Sequence, residues 1–114
     1  MPIANWQEQM RRGLLELAVL LAIAPEPRYG LEILKQLAGT DLVLTEGTIY
    51  PLLARLEREL LVQGRWVEGE GARARKYYQL TAAGRARTRQ MCVEFRSVAA
   101  GMERMIAAGL GEQQ

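Results

Sequence analysis

The chain has 114 residues, a length typical of one small domain. Hydrophobic residues make up 49% of it, which is enough to form a core and argues against global disorder. It contains no histidine and one cysteine, Cys92. These counts exclude histidine general bases, serine–histidine triads and an intrachain disulfide, and they remove the commonest metal ligand. We therefore expect no enzyme, no cofactor and no metal site.

The net charge is only +2, but the positive charge is concentrated in one region. Residues 62–89 carry seven cations against two acids, whereas acids outnumber cations in the rest of the chain. A surface that binds phosphates requires such a local excess. The apolar run at residues 14–23 is interrupted by Glu16, is too short to span a bilayer and is not followed by a signal-cleavage pattern. The expected location is the cytoplasm.

The first half of the chain predicts helices. The segment that follows Gly13, LLELAVLLAIA, is apolar almost all round and predicts a buried central helix that ends before Pro25. A second helix is predicted over residues 31–38, with Gly39 as its terminator. Its inward face is expected to consist of Leu31, Leu34, Leu37 and Ala38.

The stretch TEGTIYPLLARLEREL, residues 45–60, predicts a short helix that could lie against DNA. Its apolar stripe recurs at helical spacing and consists of Ile49, Leu52, Leu53, Leu56 and Leu60. We expect the Thr45 hydroxyl to cap the helix and Pro51 to distort its start. A helix N-terminus with small and hydroxyl-bearing residues favours anions. With the preceding helix it forms a candidate helix-turn-helix.

Two short strands follow, at 61–67 and 77–80, joined by the basic, glycine-rich segment GEGARARK. They predict a hairpin, or wing, with the cations Arg73, Arg75 and Lys76 near its tip. An ordinary solvated hairpin is the alternative. Tyr77 and Tyr78 alternate in the second strand, so one of them is expected in the core.

A last helix is predicted to begin at the cap Thr81. It carries a heptad-like apolar seam made of Thr88, Met91, Phe95, Val98, Met102 and Met105. This seam could pack on the first helix or on the same helix of a second subunit, and its length favours the second subunit. Residues 81–114 are therefore expected to form a dimerisation helix. Residues 1–80, which contain the first helix, the helix-turn-helix and the wing, are expected to form a DNA-binding domain.

Four segments in this order resemble the PadR family of bacterial transcriptional regulators. They are GLLELAVLL at 13–21, PRYGLEI at 27–33, EGTIYPLLARLE at 46–57 and RKYYQLTAAG at 75–84. The resemblance implies a mainly α fold with a small β-hairpin (α+β), a winged helix-turn-helix with a C-terminal dimerisation helix. Leu60 stands where many relatives have glycine, which leaves the local turn geometry open.

The family resemblance also implies a function, a sequence-specific homodimeric repressor that binds a pseudo-palindromic double-stranded operator. It further implies release by a small aromatic or planar effector. By motif position it indicates the DNA-binding residues Tyr29, Thr45, Thr48, Tyr50, Arg55, Arg75 and Lys76. The positive charge of the wing adds Arg73 as a contact to the DNA backbone. Arg55 could instead pair with Glu59, one turn further along its helix.

Aromatic and methionine side chains on the first and last helices suggest where an effector could bind between subunits, because both residue types adapt to a flat apolar ligand. The effector and dimer-interface candidates are Trp6, Met10, Met91, Phe95, Val98 and Met102. Plain dimer core is the alternative for each of them. The alternative for the whole chain is a winged-helix protein-interaction module that does not bind DNA, for which the acids Glu68 and Glu70 in the wing are the only hint.

Overall fold

The computed structural model describes residues 3–42, 44–69 and 73–111. The described elements follow in the order α1 (Ile3–Ile23), β1 (Arg28–Tyr29), α2 (Gly30–Ala38), α3 (Glu46–Arg58), β2 (Val62–Val67), β3 (Arg75–Leu80) and α4 (Ala82–Leu110). The strands form an antiparallel sheet in the order β1-β3-β2. This architecture confirms the predicted α+β winged-helix class. No helix in these ranges is long and apolar enough to cross a membrane.

The core forms where the second half of α1 meets α2, α3 and the sheet. Val19 and Leu20 are fully buried in α1, as the continuous apolar run predicted. The other elements contribute a small set of buried side chains to the same cluster, namely Ile33, Leu37, Ile49, Leu53, Leu56, Val62, Tyr78 and Leu80. Tyr78 is thus the core tyrosine of the Tyr77–Tyr78 pair, and α3 keeps one face wholly inside.

Two details of the helices and sheet differ from the sequence prediction. The inward face of α2 contains Gly30, Ile33 and Leu37, whose spacing of three and four residues puts them on one side of the helix, whereas Leu31 lies off that face and is 47% exposed. The residues at 28–29 form a third strand beside β3 and do not begin the helix. Two residues are too few for an alternating pattern to predict a strand.

Leu60 does not continue the apolar stripe of α3; it ends the helix. Its φ is +61° and its side chain is 72% exposed. The Leu60 N–H donates to the Glu57 carbonyl and the Leu61 N–H to the Leu56 carbonyl, both at 3.0 Å. This pattern is a Schellman motif, in which glycine is the usual residue at the left-handed position. The open question about the turn is therefore answered, since the chain adopts the glycine-type turn with a leucine.

The start of α4 is fastened to the same turn. Thr81 Oγ1 accepts the Gly84 N–H at 2.9 Å, as predicted for a cap, and donates to the Leu60 carbonyl at 2.6 Å. A Cβ at position 84 would collide with the Leu61 carbonyl, so only glycine allows this close approach. The turn after α3 therefore sets the direction in which α4 leaves the domain.

We expect Leu60→Gly to stabilise the protein by about 1 kcal/mol, because it removes left-handed strain at a side chain that buries little surface. Thermal or urea unfolding measures the change. Leu31→Gly is the matched control, since the same substitution at an exposed leucine with helical backbone should destabilise. A loss of stability in Leu60→Gly would contradict the strain argument.

Candidate nucleic-acid interface

The N-terminal end of α3 exposes two hydroxyl groups. Thr45 occupies the cap position, but its side chain accepts no backbone N–H, so the predicted capping bond was wrong. Its Oγ1 lies 3.3 Å from Thr48 Oγ1, and its carbonyl accepts the N–H groups of Thr48 and Ile49. Both threonines are exposed, and their paired hydroxyls can contact an external partner. The helix continues through Pro51, so the expected distortion does not interrupt it.

Tyr50 and Gly30 connect α3 to α2. The Tyr50 ring lies so close to Gly30 that any Cβ there would overlap the ring, yet 42% of Tyr50 remains exposed. The ring therefore packs on one side against the start of α2 and presents its other side to solvent. This contact explains why position 30, at the first turn of the supporting helix, is a glycine.

Tyr29, Tyr77 and Arg75 form a stack on neighbouring strands. The Tyr29 and Tyr77 rings meet edge to face at 5.3 Å, and the Arg75 guanidinium lies 4.6 Å from the Tyr29 ring centre. The cation–π contact orients Arg75, which is itself exposed at the start of β3. Arg73 is also exposed, two residues nearer the wing tip. Residues 70–72, including the acid Glu70, lie outside the described ranges.

Lys76 faces α3 and contacts a carboxylate there. Its Nζ donates to Glu57 Oε1 at 2.9 Å, while Glu57 Oε2 accepts the Gly64 N–H at 3.1 Å. The bond from Lys76 lowers the pKa of Glu57, and the same bond raises the pKa of Lys76. A Cβ at Gly64 would overlap both side chains. Glu57 thus fastens both strands of the wing to α3.

Arg55 also pairs with carboxylates. Its Nη1 lies 3.1 Å from both oxygens of Glu59, and its Nη2 lies 3.0 Å from Glu16 Oε1 on α1. The hydrogen bond to Glu16 raises the pKa of Arg55, and the bond to Glu59 adds to it. The alternative predicted from the sequence, a pair with Glu59, is therefore present. The bond to Glu16, 39 residues away in sequence, could not be seen in the helical spacing.

The effector and dimer candidates spread over an exposed apolar surface. Trp6, Met10, Phe95, Val98 and Met102 are each between 43% and 61% exposed. Met91 instead packs against the core.

An open groove of about 460 Å³ lies nearby and was not predicted as a pocket. Of the six candidates only Phe95 lines it, beside Cys92 of α4, Leu37 of α2, and Leu17 and Leu21 of α1. Leu17 and Leu21 belong to the apolar run at residues 14–23, whose pattern predicted core and not a groove.

The helices α2 and α3, with the β2–β3 hairpin behind them, define a winged helix-turn-helix. The model of the PadR-like family of transcriptional regulators matches residues 19–90, more than half of the chain. The chain therefore belongs to the PadR-like family of transcriptional regulators.

Solved structures agree with this assignment. A PadR family transcriptional regulator from Eggerthella lenta is 31% identical, with a TM-score of 0.81 over 91% of each chain. A PadR-like regulator from Bacillus cereus is 30% identical, with a TM-score of 0.78 over 86% of this chain and 96% of that chain. Bacillus subtilis PadR in complex with operator DNA is 22% identical, with a TM-score of 0.66 over 70% of this chain and 46% of that chain. That last likeness is one of fold.

We expect Glu57→Gln to lower thermal stability at neutral pH. The pKa of Glu57 lies below its ordinary value of 4.5, so its charge stabilises the folded state above that pH, and the contribution is lost as the pH falls through the lowered pKa. The melting temperatures of wild type and variant should converge at acidic pH, once the Glu57 carboxylate is protonated in the folded state. Glu68→Gln, at an exposed wing position, controls for loss of charge alone. A Glu57→Gln difference that is constant with pH would contradict the ion pair.

Proposed function

We propose that the protein is a homodimeric repressor that binds a pseudo-palindromic operator through two winged helices. The observation that carries the proposal is the exposed end of α3 with Thr45 and Thr48, presented on the same winged-helix framework as the oriented cation Arg75. The operator complex of Bacillus subtilis PadR supports a DNA-binding role for this fold. Such a role also agrees with the expected cytoplasmic location.

The DNA-binding candidates divide by their contacts. Thr45 at the cap of α3, and Thr48 and Tyr50 on the helix, are exposed and are proposed to meet base edges and phosphates in the major groove. Tyr29 is proposed to hold Arg75 against the flanking backbone, and Arg73 to act beside it. Lys76 and Arg55 already pair with carboxylates, so we propose that they mainly position the wing and the helix.

Dimerisation is assigned to residues 81–114, and the DNA-binding domain to residues 1–80. The supporting observation is that the later part of the α4 seam, Phe95, Val98, Met102 and Met105, is exposed, and an apolar patch of this kind marks an interaction surface. Two α3 helices in successive major grooves would lie about 34 Å apart, one turn of DNA.

The effector is proposed to be a small aromatic or planar molecule at the dimer interface. Trp6, Met10, Phe95, Val98 and Met102 offer exposed apolar surface for it, and Met91 borders that surface from the core side. An effector of this kind would release DNA only by binding one arrangement of the two subunits better than the other.

The test of DNA binding is selection of duplexes from a random-sequence pool, followed by a salt titration with the selected duplex and with a scrambled one. A repressor of this kind enriches a two-fold symmetric sequence and binds it more tightly than the scrambled duplex. Absence of binding to either duplex at low salt would overturn the proposal. It would favour the protein-interaction module instead.

A phosphate contact by Arg75 should be visible in the salt dependence of DNA affinity. We expect Arg75→Gln to weaken binding to both duplexes and to reduce the slope of log affinity against log salt by about one. Lys76→Gln should leave that slope near wild type, because the Lys76 charge is already paired with Glu57. Arg12→Gln, an exposed arginine on α1, is the control for loss of charge. An unchanged slope in Arg75→Gln would contradict a phosphate contact.

The seam of α4 gives a test of the oligomeric state. We expect Val98→Glu to convert the dimer to a monomer, since an uncompensated charge in a buried apolar interface is costly. Analytical ultracentrifugation measures the mass. Ala100→Glu introduces the same charge on the opposite side of α4 and should leave the dimer intact. Equal masses for the two variants would contradict the proposal that the α4 seam forms the dimer interface.

A further inference from the structure

Glu16 lies at a junction of three helices. It belongs to α1, and its side chain is only 18% exposed. One carboxylate oxygen lies 3.0 Å from Arg55 Nη2 on α3, and the other lies 3.4 Å from Arg87 Nε on α4. That second oxygen is buried and accepts no hydrogen bond from the described residues, so the Arg87 cation is the charge that faces it.

No other carboxylate in the described ranges joins two helices to its own. Glu8 pairs with Arg12 within α1, and both side chains are more than half exposed. Such exposed pairs contribute little, because solvent screens them. Glu57 connects α3 to the wing, not to α4. A mostly buried carboxylate cannot be left without its cations at low cost, so the geometry at Glu16 constrains all three helices.

The neighbouring contacts strengthen this constraint. Arg55 is held at the same time by both oxygens of Glu59, so its guanidinium has a defined orientation. Arg87 lies one turn beyond Gly84, where α4 is fastened to the turn after α3. Arg55 and Arg87 therefore reach Glu16 from the two elements whose relative direction matters most for a DNA-binding dimer.

We propose that Glu16 is a positioning residue, which sets the angle between the recognition helix α3 and the dimerisation helix α4. The proposal rests on the proposed function. In a dimer joined through α4, that angle determines the distance between the two α3 helices. Glu16 therefore controls which half-site spacing the protein accepts, although it contacts no DNA itself.

The test compares affinities for three duplexes. These are the duplex selected by the wild type, the same duplex with one base pair inserted between its half-sites, and the same duplex with one base pair removed. We expect Glu16→Gln and Arg87→Gln each to reduce the preference for the selected spacing by about fivefold, at the low end for energetic coupling between sites. The salt slope should stay at the wild-type value, because no phosphate contact is lost. Arg87→Lys should retain most of the preference.

Glu8→Gln is the matched control, since it removes one ion-paired carboxylate from the same helix at an exposed position. It should keep the wild-type preference. If Glu16→Gln and Arg87→Gln also keep it, Glu16 is a packing residue only and the inference is overturned. Because Arg87 is half exposed, its variant remains folded even if Glu16→Gln does not.

A thermal-unfolding cycle with Glu16→Gln, Arg87→Gln and the double variant separates the two proposals. If the double variant is no less stable than the less stable of the two single variants, Glu16 and Arg87 are energetically coupled. This result would support the ion bridge between them independently of DNA binding. Strictly additive losses overturn the bridge even when the wild type binds DNA. If the cycle shows coupling but the wild type selects no duplex, the proposed function fails and the role in spacing fails with it.

Discussion

The buried face of α3 is the constraint on which the rest of the structure depends. Ile49, Leu53 and Leu56 are fully inaccessible, so the helix cannot rotate without exposing apolar surface to water. The opposite side of α3 is therefore fixed toward solvent, with Thr48 and Tyr50 on it. Because these side chains are presented by a helix that is part of the core, they are held in place before any partner arrives.

The cations of the protein have two different roles: some are available to an external anion, and others form ion pairs within the fold. Arg75 is exposed and oriented by an aromatic ring, so its charge remains available to an anion. Lys76 lies in the basic region and Arg55 on α3, but each is bonded to a carboxylate on another element. Basic composition alone therefore overstates the positive field near α3, because two of the four cations proposed to bind DNA are paired with carboxylates on other elements.

The local signals predicted the fold well, because helices, caps and turns depend on residues near in sequence. The apolar stripe through Leu56, the Thr81 cap and the hairpin were all predicted at their places. The failures were also local. Thr45 occupies the cap position without accepting a backbone N–H. Leu60 was placed in the apolar stripe by its spacing but adopts a left-handed conformation that ends the helix.

By itself the sequence determined the class of protein, because periodicity and four ordered motifs require no knowledge of distant contacts. It also determined which residues could carry charge to a phosphate. Only the tertiary structure decided which of them are free to do so. The partners of Lys76 and Arg55 are 19 and 39 residues away, and such pairs form only when folding brings separate elements together. The same physical reason hid Glu16, which in sequence is merely an acid that interrupts an apolar helix.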